Sequence, residues 1–123
     1  MSNQLNTPKI LVCPADRKRK VATGFGTGFS NANISYFLNA AARTNPQTVL
    51  DGDANLTVDG VPVQSGVLTL WTNSRVGWTK ERNHGLASGG YIGMADGSLQ
   101  GVTSNGLNLV FAASPATNQL AIP

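Results

Sequence analysis

The chain has 123 residues, enough for one domain, 1–123, with a real core and too few for two. Charged residues make up only 12%, and four of the nine basic ones fall in Arg17–Lys20, so the net charge of +3 does not describe a broadly basic surface. A single cysteine, Cys13, excludes an internal disulfide, no Cys/His spacing suits zinc, and no run approaches the ~20 apolar residues that span a bilayer.

In chain order, Lys9–Cys13 (KILVC) is an apolar run between Pro8 and Pro14 and is expected as a first, buried strand. Ala15–Asn33 holds the basic run and GFGTGF and reads as a long irregular loop. Ile34–Leu38 (ISYFL) is expected as a second strand with Ile34, Tyr36 and Leu38 on one side. Thr48–Leu50 forms a short apolar run that stops at DGDAN. Leu56–Val58 and Val61–Val63 flank Asp59-Gly60 as a hairpin, whose return strand Pro62 confines to an edge. Val67–Thr72 (VLTLWT) alternates as a strand. Tyr91–Val102 is a second hairpin about Asp96-Gly97; a two-residue turn would place Ile92, Met94 and Leu99 on one core-facing side. Thr103-Ser104 caps a short helix carrying Leu107, Val110 and Phe111, and the tail to Pro123 reads as loop anchored by Leu120 and Ile122. The fold class this implies is α+β: mainly antiparallel sheet, long loops and a short C-terminal helix.

The chemistry-bearing residues are few. Asp51, Asp53 and Asn55 match the first three ligand positions of an EF-hand loop, but Leu56 replaces its glycine and Pro62 its bidentate glutamate. GFGTGF lacks phosphate-loop spacing. Arg17–Lys20 with Phe25 and Phe29 is the set a single-strand nucleic-acid binder would need, although a solvated charge run is the commoner outcome and no nucleic acid is expected. His84, the only histidine, has no nucleophile or acid motif around it, so the chain is not expected to be an enzyme. Its imidazole would instead pin the segment ahead of the second hairpin, with Asp53 or Asp96 as partner.

Four separated blocks in order, KILVCPAD, NISYFL, LDGDANL and the stretch from His84 through Asp96-Gly97 to Leu99, resemble the globular part of pilin-like proteins of planctomycete and verrucomicrobial type. That family is identified by a prepilin cleavage and methylation signal and a C-terminal His-x9-Asp-Gly motif. The resemblance runs from about Asn6 to the closing LAIP. Here the spacing is His84-x11-Asp96-Gly97, as an insertion in the glycine-rich GLASGGY segment would give. The family's basic leader and long apolar helix are not in this sequence, so the resemblance makes Met1 an internal methionine.

By resemblance, the chain would be the periplasmic or surface-exposed head of a structural subunit in a type IV pilus-like or type II secretion pseudopilus-like assembly. Its partners would be other pilin-like subunits, the assembly machinery, and the inner membrane through the absent helix. His84, Asp96, Gly97 and Asp53 would be the structural motif residues. Major pseudopilins often hold calcium in a C-terminal loop, and Asp51, Asp53, Asp59 and Asp96 are the positions here that could mimic it, without a motif match. Cys13 would either pair with an upstream cysteine or stay a buried thiol. The rival reading is a carbohydrate- or surface-polymer-binding module using Trp71, Trp78 and Tyr91 as stacking platforms.

Overall fold

The described chain does not open on a strand. In the computed structural model, which describes residues 5–42, 45–79, 89–114 and 117–123, Pro8–Leu11 form a single 3-10 turn. Pro8 starts that turn where its missing N–H is not needed, and the Thr7 hydroxyl accepts the Lys9 N–H. The strand expected over Lys9–Cys13 is therefore corrected. Its apolar residues still serve the fold, with Val12 and Cys13 buried and the Leu11 carbonyl accepting the Ser35 N–H at 2.8 Å.

The strands and helix that follow are β1 (Tyr36–Asn39), β2 (Val49–Asp53), β3 (Leu56–Val58), β4 (Val61–Pro62), β5 (Gly66–Leu70), β6 (Val76–Trp78), β7 (Gly89–Met94), β8 (Leu99–Thr103), α1 (Ser104–Ala113) and β9 (Asn118–Ile122). Six of the strands form one antiparallel sheet in the order β5-β9-β1-β2-β7-β8, and three form a second in the order β4-β3-β6. The class is thus α+β, dominated by antiparallel sheet.

One correction changes the topology. The tail expected to be loop is β9, an inner strand between β5 and β1, with Leu120 and Ile122 facing the core as anchors. The helix therefore precedes the last strand rather than ending the chain. Its N-cap is Thr103, whose hydroxyl accepts the Gly106 N–H at 3.2 Å, and it buries Leu107 and Phe111. The core lies between the large sheet and a cover made of α1 and the small sheet. Phe37, Val49, Ile92, Met94 and Leu120 meet Leu107 and Phe111 from the helix and Leu56, Val76 and Trp78 from the small sheet.

β2 does not stop at DGDAN but runs through Asp51, Gly52 and Asp53. Its register against β7 shifts between Val49 and Asp51, which leaves Leu50 as the extra residue of a β-bulge. Val49 and Gly52 accordingly face inward, whereas Asp51 faces out, although an unbroken alternation would put Val49 and Asp51 on one side.

Both hairpins form, by different turns. Asp59 (φ 51°) and Gly60 (φ 81°) are both left-handed, as a two-residue I′ turn requires, and β4 is the edge strand that Pro62 implied. At Asp96-Gly97 only Gly97 is left-handed (φ 86°). Its N–H donates to Met94, whose own N–H donates to Ser98. This is a three-residue loop with a glycine bulge, tightened by the Ser98 N–H on Asp96 Oδ1 at 2.8 Å. Hydrogen bonds from Ser98 hold the Asp96 carboxyl below the ordinary carboxylate range. The pairing moves by one residue: Leu99 sits opposite Gly93 rather than Met94. Ile92 and Met94 face the core as expected, while Leu99 is turned to the other face, 72% exposed.

Candidate functional site

The described molecule has one face without a cover. Strand registers align Val67, Ala121, Leu38, Asp51, Gly93 and Leu99 in a single row across all six strands of the large sheet, on the side away from α1. Val67 is 76% exposed, and Leu38, Tyr91 and Leu99 are also exposed large apolar side chains. Apolar groups scattered singly over a surface carry little information, but a continuous row across a sheet does. With Leu11, Phe25, Phe29, Ile34 and Pro123, the residues of this face line an open hollow of about 950 Å³. Phe25 and Phe29 meet edge to face with ring centres 5.3 Å apart.

The basic run helps to hold this rim. Arg19 donates from Nη1 to the Asn31 carbonyl at 2.7 Å and from Nη2 to the Pro123 carbonyl at 2.8 Å, closing the 15–33 loop on itself and tying it to the chain's last residue. Within the loop, Lys20 N–H donates to the Ala32 carbonyl and Asn33 Nδ2 to the Lys20 carbonyl at 2.7 Å. At least one member of Arg17–Lys20 is thus structural, and Phe25 and Phe29 face the sheet groove.

Three of the four blocks named above converge at one end of this face. Asp16 accepts the Ser35 hydroxyl at 3.0 Å and the Lys18 N–H at 3.0 Å. Ser35 in turn takes the Ala54 N–H on its carbonyl at 2.8 Å. Tyr36 lies opposite Asp53 in the ladder and hydrogen-bonds Cys13, and the buried Asp53 accepts the Tyr91 N–H at 2.8 Å. Burial first, then the proximity of Cys13, Asp53 and Asp16, pushes the Tyr36 phenol up from 10.0 to about 12. Between those pH values the unfolded chain releases a proton that the fold retains, so this contribution is intact below pH 10 and lost as pH rises toward 12. Alkaline melts should accordingly steepen above pH 10 in the wild type and less so in Tyr36→Phe. Absorbance titration of the phenolates should lose its late phase in the same variant.

The remaining residues singled out from sequence do not assemble. Asp51 and Asp53 share a strand, whereas Asp59 and Asp96 sit in turns of different sheets. Asp59 Oδ1 accepts the Arg75 N–H, and Asn55 Nδ2 donates to the Thr79 carbonyl. Among the described residues no three His, Cys, Asp or Glu side chains are gathered as a metal-ligand set. His84 lies outside the described residues, so its pairing with Asp53 or Asp96 does too. Trp78 is in the core, its ring against Gly90 and its Nε1 donating to the Val102 carbonyl at 2.9 Å, which removes it as a stacking platform. Trp71 is exposed beside Phe111 and Ala112, in a different depression from Tyr91, so the three aromatics form no common surface. Cys13 is a buried thiol.

Compared with protein-family models, curated proteins and solved structures, the chain matches none. The sequence had no means of announcing the open face. Alternating apolar residues on a strand signal a side that is buried against something, and only the packed structure separates the side buried by this chain from the side that is not.

Proposed function

We propose that this domain is the head of a pilin-like or pseudopilin-like structural subunit, and that its open sheet face is the seat of an apolar helix. The observation that carries this reading is the row from Val67 to Leu99, apolar at both ends and left uncovered by the described residues across six strands. At ~4.8 Å between strands the sheet is about 24 Å wide, which a helix of roughly 16 residues crosses. Asp51 stands in the middle of the row, its carboxylate leaning over Gly93 in space that a Cβ would fill. A helix seated there brings a hydrogen-bond donor or a basic side chain to that point, since an uncompensated buried carboxylate is costly.

The resemblance to pilin-like proteins supplies the same requirement, because in that family a long apolar helix precedes the head. Among the described residues no helix is long and apolar enough to cross a membrane. The test is the N-terminal sequence and intact mass of the native protein, taken from the membrane and the sheared-surface fractions of its source cells. An apolar helix of ~25 residues ahead of Met1, processed at a leader site, is the expected result. Met1 as the native start of a protein found only in the soluble fraction would overturn the reading.

A further inference from the structure

We infer that two copies of this chain join edge to edge through β8, making one continuous sheet. Among the described residues, β8 is the last strand of the large sheet and pairs only with β7. Residues 97–103, GSLQGVT, carry no charge and no proline, the usual devices that protect a free edge. The direction of its backbone groups follows from the ladder. Met94 N–H donates to Ser98, so alternation turns the N–H and C=O of Leu99 and Gly101 away from β7. The Tyr91 N–H, opposite Gly101, points the other way to Asp53, as the same alternation demands.

These outward groups are self-complementary. A two-fold axis at Gln100 sets Leu99 of each copy against Gly101 of the other, closing four backbone hydrogen bonds, and no like charges meet. Side chains fit the same register. The Tyr91 ring lies over Gly101, 3.3 Å from where a Cβ would stand, so the glycine lets an exposed aromatic reach toward the free edge. Leu99 of the second copy, opposite Gly101, packs against that ring, and the two-fold repeats the contact. The opposite edge is less suited, since β5 starts at Gly66 with φ 131° and ends on the buried Leu70.

This pairing needs no helix on the sheet face and stands apart from the function proposed above. The two-fold keeps both open faces on one side but reverses their directions, so the pair competes with incorporation into a polar filament. With so small an interface the association is weak and concentration-dependent.

Sedimentation of the chain at concentrations up to about 1 mM should show monomer–dimer exchange. Leu99→Lys should abolish it with the fold unchanged by circular dichroism, and Val67→Lys on the far edge should leave it intact. Gln100→Cys should form a disulfide-linked dimer on mild oxidation, its two Cα atoms being ~4.5 Å apart, within bridging range. Ser98→Cys, offset from the axis, should not. A monomer at every concentration, association indifferent to Leu99→Lys or lost with Val67→Lys, or equal cross-linking through residues 98 and 100 would each overturn the proposal. Should Leu99→Lys fail to fold, the cysteine pair decides alone.

Discussion

Asn39→Ala should cost the fold about 3–4 kcal/mol, because it leaves several buried polar groups without partners at ~1–3 kcal/mol each, not fully additive. Asn39 ends β1 and is buried, and its amide is fully engaged. Nδ2 donates to the Val49 carbonyl at 2.9 Å and to Asn118 Oδ1 at 2.8 Å. Oδ1 accepts the N–H groups of Ala41 at 3.1 Å and Gln119 at 3.2 Å. One side chain therefore ties β1 to β2 on one side and β9 on the other, across about 80 residues of sequence. Against a total stability of roughly 5–15 kcal/mol the loss is large, and the melting temperature should fall by roughly 10–15 °C. Asn39→Asp separates shape from chemistry. It keeps both acceptor contacts but turns an oxygen toward the Val49 carbonyl and Asn118 Oδ1. The introduced carboxyl is favoured in its neutral form by burial and by facing oxygens, so its folded pKa lies above its unfolded one. Its deficit should be smallest at acid pH and grow as pH rises through the carboxylate range. Melts of both variants from about pH 3 to 8 check this, and a pH-independent Asn39→Asp would show that the donors do not matter.

What the sequence made legible was local. Asp59-Gly60 named its turn because two adjacent left-handed residues need that dipeptide, and Thr103 named the start of α1 because its hydroxyl replaces a missing backbone acceptor. At Asp96-Gly97 the same dipeptide served a different loop, in which only the glycine is left-handed. Turn composition could not fix the register, and Leu99 changed sides. The longer-range features were hidden. KILVC fits a buried strand by composition, but Thr7 and Pro8 wind it into a 3-10 turn. NQLAI becomes an inner strand only because β1 and β5 flank it, and nothing local distinguishes five alternating residues from an anchored tail. The candidate site belongs to this second kind. Leu38, Tyr91 and Val67 are far apart in sequence and each reads as half of an ordinary strand, so a face that lacks its cover emerges only once six strands are side by side.

Gly52→Ala should lower stability by about 2–3 kcal/mol, through overpacking rather than through loss of any ligand. In the sequence, Gly52 lies between two aspartates, in the stretch that matches the first ligand positions of an EF-hand loop. In the fold it is the middle of a strand, flanked by Phe37 on β1 and Ile92 on β7. A Cβ there would stand 2.9 Å from Phe37 Cε1, 2.9 Å from the Tyr91 carbonyl oxygen and 3.0 Å from Ile92 Cγ2. The phenylalanine ring has other core atoms behind it and the carbonyl is backbone of the neighbouring strand, so neither yields without disturbing the β2–β7 pairing. The melting temperature of Gly52→Ala should drop by roughly 8–12 °C, and Gly52→Val, which adds two further methyl groups, should not fold at about 37 °C. Melts in excess calcium and in chelator distinguish the two roles of this glycine. A packing glycine gives the same drop in both conditions, whereas a loop glycine shaping a calcium site would leave the wild type itself less stable in chelator. A Gly52→Ala variant that melts with the wild type would show that this position is not a close-packing point between β1 and β7.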